Sequence, residues 1–162
     1  MISNDDVEGK DMNTLYPLSL TPDEDGGFVV EFPGLPFGVT QGDNLAEAMA
    51  NAEDVLVVVV ATLIEDGALV PEPLDGDFRY YVRLPEHVAL KLAFYRAFGA
   101  ADINKAELGR RLHWGTQQVA RLFDARHMTR VDHLFTALRA LGMRMSFDLE
   151  PEAAVTPSQK HL

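Results

Sequence analysis

Apolar residues recur at period two, then at helical spacing, then at period two again, before helical spacing takes over for most of the remaining chain. Tyr16, Leu18 and Leu20 share one face across residues 14–21, which predicts a strand despite Pro17, a residue tolerated on a sheet edge. Pro22-Asp23-Glu24-Asp25-Gly26-Gly27 is turn chemistry, and Phe28, Val30 and Phe32 then alternate with Val29 and Glu31, so the two runs form a hairpin. Pro33-Gly34-Leu35-Pro36 breaks the ladder, and residues 38–41 predict a short third strand. Positions 45, 48, 49, 52, 55, 56, 59 and 63 are all apolar, the stripe of a helix capped by Asn44, with Glu47 reaching back to the Asn44 amide and Gly67 marking the end. The β-branched run Val57 to Val60 favours a strand locally, and Val58 falls on the polar face, but the longer periodicity outweighs both. Beyond Pro71 and Pro73, Phe78, Tyr80, Val82 and Leu84 alternate as a further strand, so the order is βββαβ.

The second half reads as helices. Pro85 suits a first helical turn, and Val88, Ala89, Leu90, Leu92, Tyr95 and Phe98 give an apolar stripe that ends at Gly99. Asn104 caps residues 105–112, with Glu107 at the capping-box position; His113-Trp114-Gly115 is a tight turn, and residues 116–123 form a second short helix. Gly109 sits where the second helix must approach the first, and Leu108, Leu112, Val119 and Leu122 supply apolar contacts, so the pair reads as a helix-turn-helix. His113 occupies the turn position where glycine is usual, which requires it to adopt a positive φ unless the turn differs. Trp114 is expected to plug the small core. Thr129 caps a last helix carrying Val131, Leu134, Phe135, Leu138 and Leu141 up to Gly142, and alternation of Met145, Phe147 and Leu149 predicts an exposed C-terminal strand in need of a partner. The fold class is α+β: a βββαβ unit over residues 14–84, then an all-α helix-turn-helix unit with a C-terminal strand over 85–150. Residues 1–13 and 151–162 are expected to be a disordered N-terminus and a flexible tail.

Charge divides the chain at the same place. The net charge of -11 combines a segment from Met1 to Phe78 with 17 acids and one base, Lys10, and a segment from Arg79 to Phe147 with 5 acids and 12 bases. Overall acidity argues against nucleic acid as a partner of the whole surface, yet the basic segment has the footprint that phosphate binding requires. Hydrophobic residues make up 47% of the 162, which excludes wholesale disorder and suits one average domain or two small ones. Cysteine is absent, so disulfides, thiolate nucleophiles and thiolate zinc sites are impossible. The acidic N-terminus resembles no targeting signal, and the longest apolar run, Val55 to Ile64, is too short to span a bilayer, so a cytoplasmic protein is expected.

Thr116, Gln117, Gln118 and Arg121 project from the start of the second short helix, where a major-groove reader places donors and acceptors. Gln pairs bidentately with adenine and Arg with guanine, each contact worth about 1–3 kcal/mol of discrimination. Lys105, Arg126 and Arg130 would hold phosphates. The competing reading is a helical core with a solvated basic face. In the acidic half, Asp23, Glu24, Asp25 and Glu31 invite a two-metal hydrolysis reading, but three of them lie in a turn where acids serve solubility and turn formation. No phosphate-loop or zincin motif occurs, and the five histidines show no ligand spacing. No catalytic residue, metal or cofactor is expected.

Tyr16 to Leu20, Asp25-Gly26-Gly27-Phe28, Phe32-Pro33-Gly34-Leu35-Pro36, Thr40-Gln41-Gly42-Asp43 and Ala46-Glu47-Ala48, taken in this order, resemble HicB-type antitoxins. With the Leu84-Pro85 junction and the helix pair from Lys105-Ala106-Glu107-Leu108 to Val119-Ala120-Arg121-Leu122, the likeness spans residues 15–149. The resemblance implies a partial ribonuclease-H-like domain that neutralises a small mRNA-cleaving HicA-type toxin, and a DNA-binding domain that represses the shared operon. An RNA-binding toxin is expected to be basic and would meet the acidic half with complementary potential. Candidate toxin contacts are Asp23, Glu24 and Asp25, with Glu31 and Asp43 behind them, and the helical acids stand as an equal alternative. Operator DNA with an inverted repeat and a second copy of the chain are the other expected partners; no membrane partner is expected. A stand-alone transcriptional regulator with an N-terminal ligand-sensing domain is the alternative, and a degenerate metal nuclease ranks last.

Overall fold

The computed structural model describes residues 12–146 and Leu149. Strands β1 (Leu15–Pro22), β2 (Phe28–Glu31) and β3 (Val39–Gly42) lead into helix α1 (Leu45–Glu65), followed by β4 (Tyr80–Arg83). Helices α2 (Glu86–Ala100), α3 (Lys105–Leu112), α4 (Thr116–Leu122) and α5 (Val131–Ala140) complete the chain. The sheet order is β3-β2-β1-β4, with every neighbouring pair antiparallel.

β1 is an inner strand, not the edge that Pro17 suggests. Pro17 is accommodated because the two ladders use different halves of β1: residues 15–18 pair with β4 and residues 19–22 with β2. At Pro17 the β2 side carries no ladder bond, so the missing N–H is not needed there. Tyr16, Leu18, Val30 and Val82 are buried and line the face against which α1 packs Ala48, Ala52, Leu56, Val59, Val60 and Leu63. The Val57–Val60 run is helical, as the wider periodicity predicts, and Val58 is solvent-exposed. The start of α1 lies directly on β3: a Cβ on Gly42 would fall 2.3 Å from the Ala48 nitrogen, so only glycine fits. Asn44 Oδ1 accepts from the Glu47 amide at 3.0 Å as expected, but Glu47 reaches back to the Asp43 amide, at 3.1 Å, rather than to that of Asn44.

Residues 66–79, which return from α1 to β4, have no ladder of their own, and side chains satisfy their carbonyls. Tyr16 Oη donates to Pro71 O at 3.0 Å, Tyr95 Oη to Ala68 O at 2.8 Å, and Arg96 Nη2 to Val70 O at 3.3 Å. Burial raises the pKa of both tyrosines above the ordinary phenol value. Tyr95 and Arg96 belong to α2, which thereby grips the βββαβ unit, while Phe94 and Phe98 of the same helix meet Phe123 edge-on with ring centroids 5.3 and 4.8 Å apart. Each such aromatic contact is worth about 0.5–1.5 kcal/mol beyond area burial. The buried residues from Tyr16 to Leu138 consequently form one continuous cluster.

Three local expectations need correction. α2 runs through Gly99 to Ala100, and Asp102, with φ of +49°, makes the reversal that Gly99 was expected to make. Arg130, not Thr129, is the N-cap of α5; the Thr129 hydroxyl donates to Arg121 O at 3.2 Å instead. Residues 143–146 carry no strand, and Phe147 and Asp148 of the expected C-terminal strand lie outside the described residues, as do residues 1–11 and 150–162.

Candidate nucleic-acid interface and acidic face

α3 begins with Asn104 Oδ1 accepting the Glu107 amide at 2.8 Å. Glu107 then pairs with Arg110 at 2.6 Å and Arg111 at 3.1 Å, and these guanidiniums, Arg111 first, hold its carboxyl below the usual range. His113 ends the helix with φ of +56°, the left-handed conformation and the first of the two alternatives the sequence left open. Its amide donates to Arg110 O at 3.3 Å and that of Trp114 to Gly109 O at 3.0 Å, so the last carbonyls of α3 are closed by the turn itself. α4 follows at once, with Val119 and Leu122 buried against α3 and its N-terminal residues directed at solvent.

Thr116, Gln117, Gln118 and Arg121 are all exposed. Thr116, Gln117, Ala120 and Arg121 share one face by their three- and four-residue spacing. Gln118 lies beside that face, and its Oε1 accepts from the Gly115 amide at 3.1 Å, leaving the amide nitrogen to act as a donor. Arg121 has no carboxylate partner among the described residues. Between α4 and the start of α5 lies a groove of about 150 Å³ lined by Trp114, Gln118, Arg121, His127, Arg130 and His133, among others. The fold thus brings Gln118, Arg121 and Arg130 together. It does not bring Lys105 and Arg126 to this groove: the Lys105 ammonium lies 4.2 Å from the Phe123 ring centroid, and Arg126 is 4.0 Å from Glu65 of α1. Arg130 is held bidentately by Asp132, at 3.0 and 2.9 Å, and this contact pulls the Asp132 pKa down.

Sequence reasoning missed two residues, Ala120 and Lys91, and one contact, that of Trp114 with His133. Ala120 completes the exposed face of α4, a position legible from its spacing to Thr116 and Gln117. Trp114 is half-buried on the core, as expected, but its ring also lies 5.1 Å from that of His133. Lys91 of α2 is 2% exposed and donates to the main-chain oxygens of Arg121 and Asp124, the latter at 2.8 Å. Burial lowers its pKa to about 8, an effect the Asp124 carboxylate partly offsets. The signal for it was a lysine three residues after Val88 and four before Tyr95, inside the apolar stripe.

The acids divide by position. Asp23 Oδ1 accepts the Asp25 amide at 3.1 Å and fixes the turn after β1, leaving Glu24 and Asp25 exposed. A Cβ on Gly27 would lie 3.0 Å from the Asp43 Cα, so this turn and Asp43 share one end of the sheet. Glu31 stands at the other end of β2, opposite Ser19 and Val39. Among the described residues no three His, Asp or Glu side chains group as a metal site, and no helix is long and apolar enough to cross a membrane.

The profile of a family described as the HicB-like antitoxin of bacterial toxin-antitoxin systems matches residues 15–93. Antitoxin HicB of Escherichia coli K12 is 36% identical over 132 residues, covering 81% of this chain and 96% of its own. Antitoxin HicB 1 of Photorhabdus laumondii is 35% identical over 140 residues, covering 85% of this chain and 88% of its own. Antitoxin HicB of Pseudomonas fluorescens is 29% identical over 141 residues, with 85% and 97% covered.

Proposed function

The chain belongs to the HicB-like antitoxin family of bacterial toxin-antitoxin systems, and on that premise we propose that it inhibits a small HicA-type mRNA-cleaving toxin and represses its own operon. In this reading residues 14–84 are a partial ribonuclease-H-like toxin-neutralising domain without nuclease activity. Residues 85–150 are a DNA-binding domain whose α3 and α4 form a helix-turn-helix, with α4 as the recognition helix. The observation that carries the repressor half is the exposed face of Thr116, Gln117, Ala120 and Arg121, presented by a turn that His113 closes at positive φ. Arg121 and Gln117 read base edges, Ala120 packs on a thymine methyl, and Lys105, Arg126 and Arg130 contact phosphates. A homodimer spans an inverted repeat.

The antitoxin half rests on charge. Glu24, Asp25, Asp43 and Glu31 are exposed and Asp23 is half-buried, and none of the five has an ion-pair partner among the described residues, which suits a cationic RNA-binding partner. The test is to read the adjacent reading frame, which is expected to encode a short basic protein, to express the two together, and to follow with copurification and a gel shift on the upstream DNA. A stable complex that loses toxicity, and a shifted upstream fragment, are expected. Arg121→Ala should relax base preference while Lys105→Ala weakens all sequences alike; equal effects would overturn the assignment of readers and phosphate contacts. A chain that neither captures that neighbour nor shifts the fragment would sink the reading.

A further inference from the structure

Lys91 is the one buried charged side chain among the described residues, and the proposed function does not use it. It is not paired as a buried cation usually is, with a carboxylate at contact distance. Its ammonium instead crosses from α2 to the far end of α4 and donates to two main-chain oxygens, that of Arg121 in the last turn of the helix and that of Asp124 just beyond it. Burying an ammonium is costly, so a neutral chain of the same length would serve packing better. What the ammonium supplies, beyond the packing of Phe94 and Phe98 on Phe123, is a directional hydrogen-bonded link between α2 and the carbonyls at the end of α4. It sits at the carbonyl end of α4, where the helix dipole favours a cation.

Both carbonyls have a second donor within their own segment. Arg121 O also accepts the Thr129 hydroxyl at 3.2 Å, and Asp124 O also accepts the His127 amide at 3.2 Å. Losing Lys91 therefore leaves neither oxygen orphaned and does not forbid the fold. It removes only the hydrogen-bonded tie to α2 and leaves the Phe94 and Phe98 rings of that helix packed on Phe123; α2 is itself anchored on the βββαβ unit through Tyr95 and Arg96. Arg121 carries both ends of the matter: its carbonyl is held and its guanidinium is exposed for a base.

We infer that Lys91 is a positioning residue for operator recognition, its ammonium fixing the exit of the recognition helix so that Arg121 meets its base in one register. The inference rests on the reading of α4 as a DNA-recognition helix. It predicts a loss of sequence-specific affinity from a residue that touches no DNA, with phosphate-driven, non-specific binding little changed.

The experiment uses the full chain. Lys91→Met should keep its melting transition yet speed amide exchange over residues 119–128 in free protein and lower affinity for its own upstream DNA, each about tenfold, the scale of lost hydrogen bonds to a charged group. Affinity for unrelated DNA should hold. Because the chain has no other cysteine, Lys91→Cys can be alkylated with bromoethylamine in denaturant and refolded, which restores an ammonium at almost the original reach. Recovery of both exchange protection and specific affinity is expected. Wild-type exchange and specificity in Lys91→Met, or an aminoethylated chain no better than its unmodified parent, would overturn the inference. Wild-type protein that ignores the upstream DNA, while Lys91→Met still speeds exchange, would instead overturn the recognition-helix reading and leave the tie itself standing.

Discussion

Gly109 of α3 and Trp114 of the turn approach so closely that a methyl on Gly109 would stand 3.2 Å from the Trp114 carbonyl oxygen, and 3.4 Å from a Val119 methyl. One added carbon is therefore tolerable only with a small shift, and its cost is set against the gain of about 1 kcal/mol that alanine brings to a helix over glycine. Gly109→Ala should be close to neutral. Gly109→Val, which adds branches toward α4, should destabilise by about 1–3 kcal/mol, the range for overpacking a filled core. Urea unfolding checks both, and a valine variant as stable as wild type would mean that α4 is not held this close.

His113 holds a φ of +56°. A left-handed conformation costs an L-residue about 1–2 kcal/mol, and glycine escapes that cost at the end of a helix while losing more entropy on folding. His113→Gly is expected to raise stability by about 0.5–1 kcal/mol and to leave DNA binding intact. His113→Val, β-branched at positive φ, should destabilise instead. The urea midpoint, at unchanged denaturant slope, measures each.

Arg130 is occupied by Asp132 in the free protein, so the phosphate contact proposed for it competes with that ion pair. Asp132→Asn should release the guanidinium and tighten DNA binding, whereas Arg130→Ala should weaken it and flatten the fall of log affinity with log salt by about 0.9, the increment for one phosphate. An unchanged slope would remove Arg130 from the phosphate-binding set. Raising the salt during the titration is sufficient to read it.

Burial lowers the Lys91 pKa from 10.5 to about 8. Between those values the unfolded chain keeps the proton and the folded chain releases it, so more protons are bound when unfolded and stability rises with pH. The gain from this group develops from about pH 8 and reaches the order of 3 kcal/mol by pH 10.5. Tyr16 and Tyr95 act oppositely near pH 10, because their raised pKa values keep protons in the folded state that the unfolded chain gives up. The charged neighbour acting on Lys91 is Asp124. The difference between wild type and Lys91→Met in urea stability, followed from pH 7.5 to 9.5, isolates the lysine; a flat difference would show that the ammonium is not desolvated.

Element order was legible because each element announces itself locally. Period-two runs at Tyr16 to Leu20 and Phe28 to Phe32, the Asn44 and Asn104 caps and the β-branched but periodic stretch of α1 all matched the observed strands and helices to within about two residues, the usual uncertainty of an element's ends. The turn requirement at His113 was legible for the same reason, since a backbone that must reverse there leaves few conformations. Local pattern was silent on partners: Pro17 suggested an edge, yet β1 is central, and whether a strand is an edge depends on which ladders cover which half of it.

For the candidate site, residue type and spacing alone placed Thr116, Gln117, Gln118 and Arg121 on one exposed short helix, although Arg121 stands in its last turn and not at its start. Tertiary structure decided which of the cations stand together: Arg121 and Arg130 line one groove, while Lys105 lies over Phe123 and Arg126 leans toward Glu65. It also revealed Lys91, whose significance lies in carbonyls 30 and 33 residues away in sequence. Backbone preferences and hydrophobic period act between near neighbours and are written in the chain. Ion pairing, burial of a charge and the choice of strand neighbours arise between distant segments, and only the packed chain settles them.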